Sequence, residues 1–310
     1  MVVVTLILLV VSIILIWKSS DWITDSLVPM AKHLGTSYIA VTTLLVSLVV
    51  SLPEIFTATY SYFLGHLDIG LGVIIGSVMA NIGLIVGISA IIKPLRVEKS
   101  VVIRDGIFMV IIAAVVLLFG SDLQYSRVEG WVLLLLFIPY AINVWSFEKW
   151  RPKKSQKLKV QNVQKSLSLI GHSKIKLKPS ALTFILGAIV LVGGAYLFSS
   201  SLINLNAILQ LPEILVGIVF GAIGTSIPNI AAAIQGTRKG YVDAAITETF
   251  GSNIFTLLVT LGIIVVLSPF SIAGNVFYFD LTWMIVMTLL FVALIFKGYR
   301  YKEESLTRYE

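Results

Sequence analysis

Two carboxylates, Glu54 and Glu248, stand inside apolar sequence, each with polar oxygens at helical spacing around it. Ser47, Ser51 and Glu54 fall at i, i+4 and i+7, one face of a helix, and Glu248, Ser252 and Thr256 form an i, i+4, i+8 stripe. Ser77 and Asn81 lie four residues apart, and Ser226 and Asn229 flank Pro228. Pro53 and Pro228 have no amide to donate, so each leaves a backbone carbonyl over, one turn earlier. These are hard oxygen donors, suited to Ca²⁺, Na⁺ or Mg²⁺. Cysteine is absent and the three histidines, His33, His66 and His172, are scattered, which disfavours a soft transition metal. An ionised carboxylate in hydrocarbon costs several kcal/mol, so Glu54 and Glu248 each need a cavity, a cation or a proton.

The elements that must position these groups are membrane helices. The chain has 310 residues, 57% hydrophobic and 13% charged, with a mean hydropathy of +0.97, whereas soluble chains carry about 25% charged residues. That excludes a water-soluble enzyme. Apolar runs near the roughly 20 residues a span requires predict nine helices, at 2–17, 39–64, 70–92, 107–119, 131–147, 181–199, 214–234, 244–267 and 276–296. The N-terminal run lacks the basic start and small-residue cleavage site of a signal peptide and reads as a retained span. Segment 148–179 holds ten of the 23 Lys and Arg and is expected in the cytoplasm. By alternation Lys18, Lys32, Lys93, Arg96, Lys99, Arg104, Arg238, Lys239 and the C-terminal basic residues fall on that side too, and only Arg127 falls outside. The N-terminus is then outside. The net charge of +7 therefore reports topology rather than nucleic-acid binding.

At a shift of 175 residues the second half aligns with the first without a gap over Ser20–Val97. Ser51, Pro53 and Ile55 meet Ser226, Pro228 and Ile230; Gly65 and Asp68 meet Gly240 and Asp243; Gly76 and Ser77 meet Gly251 and Ser252; Pro94 meets Pro269. Five spans, an odd number, separate the copies, so they cross the bilayer in opposite senses. Inverted repeats of this kind build secondary transporters, with the substrate site at mid-membrane between the copies. The expected fold is an all-α polytopic membrane protein of two inverted five-helix repeats, 1–147 and 180–310, joined by the basic loop 148–179. Within this sequence the second repeat lacks its last helix.

With Ser51-Leu52-Pro53-Glu54-Ile55 and Gly76-Ser77 followed by Asn81 in one copy, and Gly224-Thr225-Ser226-Ile227-Pro228 and Gly251-Ser252-Asn253-Ile254 in the other, the chain resembles the cation/calcium antiporter superfamily. The likeness is strongest to its archaeal and bacterial sodium/calcium exchanger branch. The resemblance implies ten helices, a pseudo-twofold axis in the membrane plane, and alternating access by sliding of the first and sixth helices. It implies Glu54 as a calcium ligand, Ser51, Ser77, Ser226 and Ser252 at sodium sites, and backbone carbonyls from Val50 and Thr225. Three positions depart from the family pattern. Asn229 stands where the second repeat has its glutamate, Thr256 stands where an acid often matches Asn81, and Val49-Val50 replaces Gly-Thr. Glu248, whose first-copy counterpart is Val73, is placed to supply the missing second acid.

The expected activity is a plasma-membrane antiporter exchanging Ca²⁺ for Na⁺, without a cofactor or covalent chemistry. Its expected partners are inorganic cations and the lipid bilayer, not nucleic acid, and it is expected to act as a monomer. The alternatives on the same fold are a proton-coupled or other divalent-cation exchanger, and a relative impaired in transport. A channel is disfavoured because one chain carries both halves of the site.

Overall fold

The computed structural model describes residues 2–32, 38–94, 99–149, 180–238 and 242–307, so the basic loop at 150–179 lies outside the described residues. Nine long helices run through them: α1 (Val2–Lys32), α2 (Tyr38–Phe63), α3 (Leu67–Ile92), α4 (Lys99–Asp122), α5 (Arg127–Lys149), α6 (Ala181–Leu209), α7 (213–238), α8 (242–267) and α9 (276–307). Eight are long and apolar enough to cross a membrane. The ninth helix, α2, is also 26 residues long and largely apolar, and it carries Ser47, Ser51, Glu54, Thr57 and Ser61. Besides the helices there is one small pairing: β1 (Gln124–Tyr125) and β2 (Phe270–Ser271) run antiparallel and tie the α4–α5 turn to the α8–α9 turn. There the Tyr125 hydroxyl donates to the Val116 carbonyl at 2.8 Å, and burial holds it well above the ordinary tyrosine range.

Among the helices that reach further than their apolar runs are α1 and α4. The run in α1 stops at Trp17, yet the helix continues to Lys32. It tolerates polar residues because they find local partners. Ser12 and Ser19 donate to the carbonyls of Leu9 (2.8 Å) and Ile16 (2.9 Å), and Lys18 lies 3.7 Å from Asp21. Likewise α4 begins at Lys99, because Arg104 and Asp105 neutralise each other through two hydrogen bonds of 2.7 Å. The Arg104 guanidinium also sits 4.7 Å from the centre of the Phe147 ring. Asp21 and Asp105, which the apolar runs leave out, are thus buried as well, at 3% and 1% exposed.

The inverted repeat is visible in the backbone. Regular α-helical bonding widens to a π turn at Asn81–Val86 in α3 and at Thr256–Thr260 in α8, starting 175 residues apart; Val102–Gly106 in α4 and Val276–Leu281 in α9, which end 175 residues apart, form a second pair. The contacts repeat as well. A Cβ on Gly76 would lie 2.7 Å from Ala222 Cβ, and one on Gly251 would collide with Ser47 Oγ; Ala222 and Ser47 are themselves repeat mates. So α3 crosses α7 as α8 crosses α2. Lipid tails give apolar helices little hydrophobic reason to associate, so close packing at small residues holds such pairs together. Gly72 and Gly217 show the limit of that approach, each lacking room for any side chain against the other's backbone.

The mates α3 and α8 form the centre, 78% of each span being buried, against 22% for α1 and for α5. The peripheral helices α1 and α6, also repeat mates, lie against each other, with Gly194 against Leu15 and Ile16 and Gly187 against Ser19 and Ile23. One helix breaks the symmetry. On α8, Gly262 and Val266 pack against α5, whereas on α3 their counterparts stand open, with nothing within 4 Å of a Cβ on Gly87 and Ile91 86% exposed.

Candidate ion-binding site

Four helices, α2, α3, α7 and α8, pack on one another and bring the candidate residues together. Val50, Ser51 and Glu54 on α2 are 4%, 0% and 0% exposed; Ser77 and Asn81 on α3, Thr225, Ser226 and Asn229 on α7, and Ser252 and Thr256 on α8 are all buried. Glu248 is half-buried. The apolar character of these helices keeps water away, and the glycines of α3 and α8 let the polar faces approach.

Within this cluster the hydrogen bonds are incomplete. Ser51 Oγ lies 3.0 Å from Ser252 Oγ, joining α2 to α8. Asn81 Nδ2 donates to Asn253 Oδ1 at 2.9 Å, joining α3 to α8. Thr225 turns its hydroxyl back to the carbonyls of Gly221 and Ala222, at 3.1 and 3.2 Å. Both oxygens of Glu54 have no partner, and neither do Ser77 Oγ, Asn81 Oδ1, Ser226 Oγ, Asn229 Nδ2, Thr256 Oγ1 and one oxygen of Glu248. Buried polar groups in folded proteins are nearly always paired, and what distinguishes this set is that its open oxygens come from four helices and include both of the Glu54 carboxylate. The arrangement can take up a desolvated cation, whose charge would offset that of the carboxylates.

Two features escaped sequence reasoning. Asn253 was visible only as part of a motif, yet it anchors Asn81 and also donates to the Val78 carbonyl at 3.4 Å. The π turns at Asn81 and Thr256 begin at candidate residues, and such turns gather at functional sites; no residue type announces them. The helices continue through Pro53 and Pro228, and what the prolines contribute is the missing donor to Val49 and Gly224.

Comparison with known proteins agrees with this fold. A family profile described as sodium/calcium exchanger protein matches residues 4–146 and 179–310. The sodium/calcium exchanger MaX1 of Methanosarcina acetivorans is 26% identical, covering 97% of this chain and 94% of its own. The inner membrane protein YrbG of Escherichia coli is 24% identical, covering 94% and 88%. Among solved structures, the sodium-calcium exchanger NCX_Mj soaked with 100 mM Na⁺ and 10 mM Sr²⁺ superposes with a TM-score of 0.61 at 26% identity, covering 94% of this chain and 90% of that one. With 2.5 mM Na⁺ and 10 mM Sr²⁺ the TM-score is 0.64 at 23% identity. The profile spans both repeats and their paired serine motifs, and on that ground this chain belongs to the sodium/calcium exchanger protein family.

Proposed function

We propose that this protein is a secondary antiporter that exchanges Ca²⁺ for Na⁺ by presenting one oxygen-lined site alternately to the two sides of the membrane. The single observation that carries the reading is Glu54, fully buried with both carboxylate oxygens unpartnered amid open hydroxyls from three other helices. In this reading Glu54 binds the divalent ion directly. Ser51, Ser77, Ser226 and Ser252, the Asn81, Asn229 and Thr256 side chains and the carbonyls of Val50 and Thr225 complete the coordination of either ion. The face that the close pair α1 and α6 turns toward α2 is the surface along which access would switch. The halves 1–147 and 180–310 work as inverted units within a monomer of the plasma membrane, with the N-terminus outside and the basic loop 148–179 in the cytoplasm.

A second reading, proton-coupled exchange, is favoured by Asn229 and Thr256, which leave the site short of acids for several sodium ions. Uptake of radiolabelled Ca²⁺ into vesicles holding the purified protein separates the two. An outward Na⁺ gradient driving uptake, with a pH gradient inert, supports sodium coupling; the reverse supports protons; uptake under neither gradient ends the antiporter reading.

A further inference from the structure

Five described acids lie inside the helical bundle away from the helix ends, Asp21, Asp25, Glu54, Asp105 and Glu248, and Asp25, on α1, is itself engaged. Asp21 has Lys18 at 3.7 Å and Asp105 has Arg104 at 2.7 Å, so each is neutralised by its own neighbour. Glu54 and Glu248 have no basic partner among the described residues. They belong to α2 and α8, the two helices joined by the Ser51–Ser252 hydrogen bond. Glu54 stands three residues beyond Ser51, and Glu248 stands one turn before Ser252 on the face that also carries Thr256. The repeat does not explain Glu248, because its mate is Val73, a fully buried core residue.

Resting on the proposed exchange, we infer that Glu248 is the second counter-charge of the ion site, and that the site exchanges one divalent cation for two monovalent charges. Two uncompensated carboxylates neutralise one Ca²⁺, and equally two Na⁺ or two H⁺. A third monovalent ion would sit as excess positive charge in low dielectric, with no further acid to offset it. Glu248 is half-buried and Glu54 fully buried, so Glu248 is also the carboxylate a hydrated ion meets with less loss of water.

The experiment has two independent parts on the full chain. In detergent, equilibrium Ca²⁺ binding by calorimetry compares wild type, Glu248→Gln and Glu248→Asp. Loss of about tenfold or more in affinity for Glu248→Gln, with Glu248→Asp within about threefold, is expected for a counter-charge; wild-type affinity in Glu248→Gln overturns its role. In vesicles, the wild type is brought to its steady-state Ca²⁺ ratio at a fixed Na⁺ or pH gradient, with potential clamped by K⁺ and valinomycin. A charge-balanced exchanger keeps the same ratio at zero and about −100 mV, whereas each net charge moved per cycle shifts it about fiftyfold, and such a shift overturns charge balance. This part needs no variant to fold. If the wild type accumulates no Ca²⁺ under either gradient, the exchanger reading and charge-balanced exchange fall together, and the binding comparison alone decides the role of Glu248.

Discussion

Ser51 and Ser252 share a 3.0 Å hydrogen bond between α2 and α8, whereas their repeat mates Ser226 and Ser77, equally buried on α7 and α3, leave both hydroxyls without a partner. One half of the site is latched and the other open, a difference the sequence symmetry does not contain. Replacing Ser252 by Ala strands Ser51 and should cost about 1–2 kcal/mol. Replacing Ser77 by Ala removes an already unsatisfied group and should be neutral or slightly stabilising. Thermal melting of the detergent-solubilised protein in excess chelator checks the contrast, and equal losses in the two variants would show that the halves are not distinct.

Glu54→Gln should separate function from stability. A buried carboxylate without a partner is a cost that the fold carries for its ligand, so in chelator the Gln variant should melt at the same temperature or higher. Its Ca²⁺ affinity should fall about a hundredfold, the loss expected for roughly 3 kcal/mol of charge pairing. Wild-type affinity measured by calorimetry would place the ion elsewhere.

How far these elements could be read in advance differs from residue to residue. Glu54 was legible because an acid inside a long apolar run has no bland explanation, and Gly76-Ser77 with Gly251-Ser252 exposed the repeat because paired small residues are rarer than paired leucines. The far end of α1 was not legible. Lys18, Asp21 and Asp25 ended the apolar run, and nothing in composition says that a lysine will turn to an aspartate three residues on. The Asn81–Asn253 bond was hidden for another reason. Which amide meets which depends on how closely α3 and α8 approach, and that is set by packing at distant positions.

The crossing of α2 and α8 makes a prediction about glycine. A Cβ on Gly251 would strike Ser47 Oγ and lie 3.1 Å from its Cβ, so Gly251→Ala should destabilise by about 1–3 kcal/mol, the usual cost of overpacking. Adding Ser47→Ala removes the worst clash and should restore part of that. At the mirror crossing, Gly76→Ala also meets the backbone of Ile218, at 2.7 Å from Cα and 2.8 Å from O, which no side-chain change relieves. Combining it with Ala222→Gly should therefore recover less. A double-mutant cycle at each crossing, read by melting temperature, tests this; equal rescue at both would contradict the geometry.

The side chains of Arg104 and Asp105 are 7% and 2% exposed and neutralise each other within α4. Asp105→Asn removes the carboxylate that pairs with a buried guanidinium and should cost about 3–5 kcal/mol, whereas replacing both residues together by apolar ones of similar size should cost far less. Denaturation in detergent measures both variants. A mild effect of Asp105→Asn alone would mean that Arg104 reaches another acceptor or the bilayer surface.

Gly87 and Gly262 occupy the same place in the two repeats and look interchangeable in the sequence. On α8, a Cβ at Gly262 would lie 3.0 Å from Leu134 Cδ2 and 3.3 Å from the Gly130 carbonyl, because α5 lies across that face. On α3 a Cβ at Gly87 meets nothing within 4 Å. Gly262→Ala should push α5 outward and destabilise by about 1–3 kcal/mol. Gly87→Ala meets no obstacle and gains helix propensity, so it should be neutral or stabilising by up to about 1 kcal/mol. Paired melting curves in identical detergent decide the matter. If Gly87→Ala proved as damaging as Gly262→Ala, another helix would have to cover α3 in the folded protein, and the open face beside Ile91 would be an interface rather than a lipid-facing surface.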